Sequence, residues 1–259
     1  MKFSKAAQLL EGVPYISNEH ARQLYDFVVE TRPHQVLELG FAHGTSTCYM
    51  AAAMEETGIG RVTTMDKPHT RSLQPNLEEL LGRLGLGRLV DPIFCEVTYT
   101  WELMQLIERH TVDGLCHPSY DFCFIDGAHT WEADGFAFFL ADKLLKPGGW
   151  MLFDDLHWRH ADDPAEMEKP WIKPLPHDMK ATAQVGKIFG LLVVQHPGYS
   201  DFRVEGEWGW ARKIAGAPGA ATVGRDVLDR IYGRPGSGGN ARRLSRRVAD
   251  RLLKRNPGG

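Results

Sequence analysis

One stretch constrains the fold more than any other: VLELGFAHGTST (36–47). It reads as a short apolar strand, a glycine-bearing turn and the start of a helix. Gly40 and Gly44 let the backbone pass close to a ligand, and a helix N-terminus beside such a turn offers free N–H groups to polar ligand atoms. The turn is E-x-G-x-x-x-G. It lacks the G-x-G-x-x-G spacing of a nicotinamide fingerprint and the G-K-[ST] of a P-loop, which argues against both cofactor classes.

A regular alternation follows. Strands are expected at VTTMD (62–66), LVDPIFCE (89–96), YDFCFIDG (120–127) and WMLFDD (150–155), with helices at 44–57, 76–84, 99–110 and 131–145 between them. Strand and helix in turn at this spacing build a parallel sheet covered on both faces. Ligands of such a sheet sit at the carboxyl ends of its strands. An amphipathic helix over 17–31 precedes it, with Ala21, Leu24, Tyr25 and Val28 on one stripe and Pro33 as its stop.

The rhythm breaks after residue 156. Residues 156–177 hold four prolines and read as a loop or substrate lid. A helix is expected over 179–190. LLVVQ (191–195) and FRVEGEWGWARK (202–213) read as two antiparallel strands joined by His196-Pro197-Gly198. The chain thus divides into an N-terminal helical segment (1–33), a main domain (34–213) and a linker with a tail (214–259).

Charge divides along the same line. The net −3 of the whole chain averages two unlike pieces. Residues 1–213 carry 20 Lys and Arg against 30 Asp and Glu, a net −10, and residues 214–259 carry 10 against 3, a net +7. In RRLSRRVADRLLKR (242–255), Leu244, Val248 and Leu252 fall on one helical stripe among Arg and Lys. Such a basic amphipathic segment suits an anionic membrane surface, an acidic partner or an acidic face of its own domain. The acidic body carries no recognised nucleic-acid module, so nucleic acid is not expected as a partner. None of the four cysteines forms a C-x-x-C pair, which points to a reduced, cytoplasmic protein. No apolar run approaches the length of a membrane span, and the N-terminus lacks the apolar core of a secretory signal.

Carboxylates cluster where ligands are expected. Asp66 closes the second strand, where a carboxylate suits ribose hydroxyls. Asp126 ends the fourth strand, and Asp154 and Asp155 end the fifth. Three carboxylates at one rim repel one another. A hard divalent cation such as Mg²⁺ removes that cost and stabilises an oxyanion. His129, three residues beyond Asp126, reaches the same rim as a general base or a further metal ligand.

These residues carry a resemblance. The glycine loop with Asp66 resembles motif I and the second-strand acid of class I S-adenosylmethionine (SAM)-dependent methyltransferases. The segment 120–158 resembles the macrocin O-methyltransferase and cephalosporin-hydroxylase-like group and, more distantly, catechol and caffeoyl-CoA O-methyltransferases. The resemblance implies a Rossmann-like α/β fold, with a seven-stranded, mostly parallel sheet, an antiparallel C-terminal strand and helices on both faces. It also implies SAM as cofactor. Glu38, Gly40 and Gly44 would then surround its methionine part, Ser46 would hold its carboxylate, Asp66 the ribose, and Glu96 would lie near the adenine, with Asp126 beside the cofactor. Asp126, Asp154 and Asp155 fall where the family binds its metal. His129 falls where the catechol enzymes place a catalytic lysine. Macrocin-type enzymes put an aspartate base at the position of Ala128, and this departure leaves the base open.

The activity implied is methylation of a hydroxyl on a small molecule: a sugar, a phenol or another natural product. A metal-independent N- or O-methyltransferase, a non-catalytic SAM-binding scaffold, and a redox or hydrolytic enzyme on the same fold are the alternatives. A homo-oligomer is expected. The tail lies outside the motif-bearing region, so deleting residues 234–259 is expected to leave SAM affinity unchanged in a calorimetric titration. A loss would make tail and body one functional unit.

Overall fold

The structure is a computed structural model that describes residues 1–215. The basic tail and most of its linker lie outside the described residues.

Strands β1 (Gln35–Leu39), β2 (Arg61–Asp66), β3 (Val90–Phe94), β6 (Tyr120–Ile125), β7 (Leu145–Phe153), β8 (Tyr199–Glu205) and β9 (Trp208–Lys213) form one sheet in the order β3-β2-β1-β6-β7-β9-β8. The first five pair in parallel, and β9 runs antiparallel to both its neighbours. A separate two-stranded ribbon, β4 (Thr111–Val112) with β5 (Leu115–Cys116), was not foreseen from the sequence.

Helices cover both faces, as a parallel sheet requires. Alternation along each strand divides the core. Val36, Phe122, Phe124 and Leu152 face helices α1 (Phe3–Leu9), α2 (Asn18–Thr31), α3 (Thr45–Thr57) and α4 (Leu77–Leu84). Leu37, Leu39, Cys123, Ile125, Met151 and Phe153 face α5 (Tyr99–Arg109), α6 (Trp131–Leu144) and α9 (Gln184–Ile188), which follows the short helices α7 (Pro164–Met167) and α8 (His177–Ala181). Among the described residues no helix is long and apolar enough to cross a membrane.

Two expectations are corrected. Residues 191–195 do not form a strand: Phe189–Val193 continue α9 as a π-helical turn that buries Phe189 and Val193. The run read as a single strand, 202–213, is itself the hairpin, and its turn is Gly206-Glu207 rather than His196-Pro197-Gly198. The apolar run LLVV suits a buried helix as well as a strand, and contact with α6 decides it. The aromatic group on α6 is also divided. Phe138 is buried in the core, whereas Phe136, Phe139 and Trp131 are exposed.

The chain reverses its winding direction between β1 and β6, the switch point of the sheet, where a crevice opens beyond the strand ends. There the backbones touch. The Asp126 N–H donates to the Leu39 carbonyl (2.8 Å), and a Cβ on Gly40 would overlap the Asp126 carbonyl oxygen. Gly40 also has φ +86°, which L side chains rarely adopt. Gly40→Ala is therefore expected to destabilise the protein by about 3 kcal/mol or more, measured by denaturant unfolding.

Candidate active site

The glycine loop is held from below by buried polar groups. Glu38 is fully buried and faces α3. It accepts from Ser46 Oγ (2.5 Å), Thr64 Oγ1 (2.6 Å) and Thr47 Oγ1. Burial pushes its carboxyl up to about 7, against the lowering effect of the three hydroxyls. Both Glu38 oxygens and the Ser46 hydroxyl are thus committed to one another. They tie β1, β2 and the start of α3 together rather than presenting free groups to a ligand.

Asp66 supports the same loop. Its Oδ2 accepts from the N–H groups of Phe41 (2.9 Å) and Ala42 (2.7 Å), and its Oδ1 from Lys67 N–H (2.6 Å). The carboxylate remains partly exposed at the strand end. Gly44 packs where a Cβ would collide with Leu77 of α4. His43 is turned inward, with Nδ1 2.5 Å from the Pro75 carbonyl and Tyr15 beside its ring. Glu96 is exposed beyond β3.

On the other side of the crevice Asp126, His129 and Asp155 converge. One ligand atom from each lies within 4.8 Å of the others. His129 Nε2 is 3.4 Å from Asp126 Oδ1 and 3.2 Å from Asp155 Oδ2. Asp154 does not join this set among the described residues; its Oδ1 accepts the Asp155 N–H (2.7 Å). His129 takes the place expected of Asp154. Backbone conformation explains the exchange, because His129 (φ +55°) and Asp155 (φ +58°) both occupy the left-handed region. Non-glycine residues there cluster at functional sites.

Burial, then the charges of Asp126 and Asp155, hold the Asp154 carboxyl well above the usual carboxylate range. Burial raises Asp155 as well. For His129 burial acts downward, but the hydrogen bond to Asp126 and the charges of Asp126, Asp155 and Asp134 outweigh it and bring the imidazole up to about 9. The two flanking carboxylates therefore favour the protonated imidazole.

The segment 156–177 does lie against this rim. Trp158 packs on His129, with ring centroids 4.9 Å apart, and on the buried His160 at 4.8 Å. Further along, Trp171 meets Lys67 beyond β2 (5.8 Å from its ring), so the segment spans from β7 to the Asp66 side. The β8–β9 turn also returns to the site. Glu207 accepts the His157 N–H (3.0 Å), and its charge, like that of His20 on α2, reaches Asp155. His20 stacks on the buried Trp208 at 4.3 Å. Sequence reading missed both residues. Gly206 between two strand-like runs was the available signal for the turn.

This architecture can be set beside known proteins. Residues 37–156 match a family described as "Methyltransferase domain". A comparison with curated protein sequences gives no match. Among solved structures, an O-methyltransferase from Bacillus cereus in complex with SAH is 21% identical with a TM-score of 0.56, over 82% of this chain and 92% of that one. The O-methyltransferase TomG from Streptomyces achromogenes, involved in tomaymycin synthesis and solved with SAM, is 19% identical with a TM-score of 0.54, over 83% and 89%. A protein from Klebsiella pneumoniae assigned as an O-methyltransferase is 20% identical with a TM-score of 0.57, over 82% and 90%. The fold of this chain is that of SAM-dependent O-methyltransferases. Gly40, Asp66, Asp126 and Asp155 all lie at the carboxyl rim of the parallel sheet.

The raised His129 pKa has a definite sign. A histidine raised in the folded state contributes stability that is complete below its ordinary value of 6.5 and is lost as pH rises through about 9. Ring-proton NMR of the metal-free protein is expected to give His129 a midpoint near 9. Asp126→Asn should move that midpoint down toward the ordinary value.

Proposed function

We propose that this chain is a SAM-dependent O-methyltransferase that works with a divalent cation on a hydroxyl of a small molecule. The supporting observation is the convergence of Asp126, His129 and Asp155 at the switch-point rim of a methyltransferase domain. Two carboxylate oxygens and one imidazole nitrogen within 4.8 Å suit Mg²⁺ or Mn²⁺. A cation bound there would supply the Lewis acidity that brings an acceptor hydroxyl toward its oxyanion and orients it.

The residues divide the work as follows. Asp126 and Asp155 would hold the cation, with His129 Nε2 as a third donor once its proton is released. The backbone of 40–44 and the start of α3 would face the methionine end of SAM, and Asp66 would hold the ribose. Glu38 and Ser46 keep that loop in place. Trp158 covers His129 and, with the rest of 156–177, excludes water while the methyl group passes in line from sulfur to oxygen.

One observation favours a second, metal-independent reading. The His129 imidazolium already balances Asp126 and Asp155. Asp126, His129 and Asp155 would then bind the acceptor directly, and a carboxylate of the set would take the hydroxyl proton as the oxygen receives the methyl group and the thioether leaves.

Calorimetric Mn²⁺ titration separates the two, joined to methyl transfer from SAM to a panel of catechols and glycosides. The first reading expects Mn²⁺ binding that drops more than tenfold in Asp126→Asn and Asp155→Asn, and turnover abolished by EDTA. Turnover surviving EDTA establishes the second. SAM binding without turnover on any acceptor leaves a non-catalytic role.

A further inference from the structure

Asp134 offers no ligand atom to the site above, yet it is 1% exposed and lies directly behind it. It sits in the first turn of α6, on the face turned toward the sheet. Its Oδ1 accepts the Ala128 N–H (3.2 Å) and the Tyr99 hydroxyl, and its Oδ2 accepts the Thr130 N–H (3.2 Å). The Tyr99 oxygen in turn accepts from Ala128 N–H (3.3 Å). One buried carboxylate therefore holds the amides on both sides of His129.

We propose that Asp134, with Tyr99, is the positioning residue of this site: it clamps residues 128 and 130 so that His129 stays in its left-handed conformation and meets Asp126 and Asp155. The inference rests on the reading of Asp126, His129 and Asp155 as the cation site. It assigns Asp134 no contact with substrate or cofactor.

Three observations fit together here. The strained φ of +55° at His129 needs outside support, and the two flanking amide bonds supply it. A Cβ on Gly127 would approach Asp134 Oδ1 at 2.5 Å and Tyr99 Oη at 2.8 Å, so a side chain there would push the clamp aside. The Tyr99 oxygen accepts from the same Ala128 N–H that Asp134 Oδ1 holds, so α5 joins α6 in the clamp.

The chemistry requires a carboxylate. Two N–H groups approach two different oxygens. Asparagine would present an NH₂ to one of them, a donor facing a donor. Glu132, two residues earlier on an exposed face of the helix, cannot take over.

The test uses the full chain. Asp134→Asn is expected to lower Mn²⁺ affinity about tenfold, the usual cost of removing a group that orients a ligand. SAH affinity, set on the Gly40–Asp66 side, should stay within twofold and also reports that the variant is folded. Amide hydrogen exchange should accelerate at Ala128 and Thr130 and not in β1 or β6. Tyr99→Phe, a milder change, keeps both Asp134 bonds; it should speed exchange at Ala128 while Thr130 and Mn²⁺ affinity hold, and it serves if Asp134→Asn does not fold. Protection unchanged at both amides in Asp134→Asn, or Mn²⁺ affinity unchanged after their release, overturns the proposal. So does Tyr99→Phe with Ala128 exchange unmoved. Wild-type protein that binds no Mn²⁺ ends the metal reading instead, and the exchange data then decide the clamp alone.

Discussion

The close passage of Gly40 against the Asp126 carbonyl is the constraint from which the rest of the site follows. Strands β1 and β6 are neighbours in the sheet but far apart in the chain, and their parallel register carries on past their ends. Only a residue without a side chain allows the two loops to leave at that distance. The cofactor-side loop and the acid-bearing loop are thereby set edge to edge. A shift of one would move the other, because they share backbone rather than side-chain contacts.

Electrostatics on the two sides of this seam are handled differently. On the glycine side Glu38 is sealed among three hydroxyls, and burial, with the Asp126 charge, raises its carboxyl to about 7. On the acid side burial is incomplete, and two carboxylates favour the protonated form of the histidine between them. The first arrangement is suited to rigidity. The second brings two carboxylate oxygens and one imidazole nitrogen together at one point.

Legibility followed the range of the interactions involved. Strands β1, β2, β3, β6 and β7 and the helices between them were readable because period and turn residues are local signals. The glycine turn and the acids at strand ends were readable for the same reason. The segment 191–195 was not, because its apolar run fits either state until α6 packs beside it. The β8–β9 turn was misplaced because Pro-Gly outweighed a single Gly flanked by charges. Asp134 gave only a faint signal: a lone acid near the start of an aromatic helix. Nothing local shows that it points inward.

The sequence by itself determined the α/β alternation, the glycine loop and the set of acids at the rim, since each depends on spacing within a few residues. Tertiary structure alone decided which of Asp154 and Asp155 faces His129, that two carboxylates flank that imidazole, and that His20, Glu207 and Asp134 stand around it. Those outcomes depend on two left-handed residues and on distances between segments as far apart as α2 and β9. No periodicity records such distances; they exist only once the sheet has closed its register.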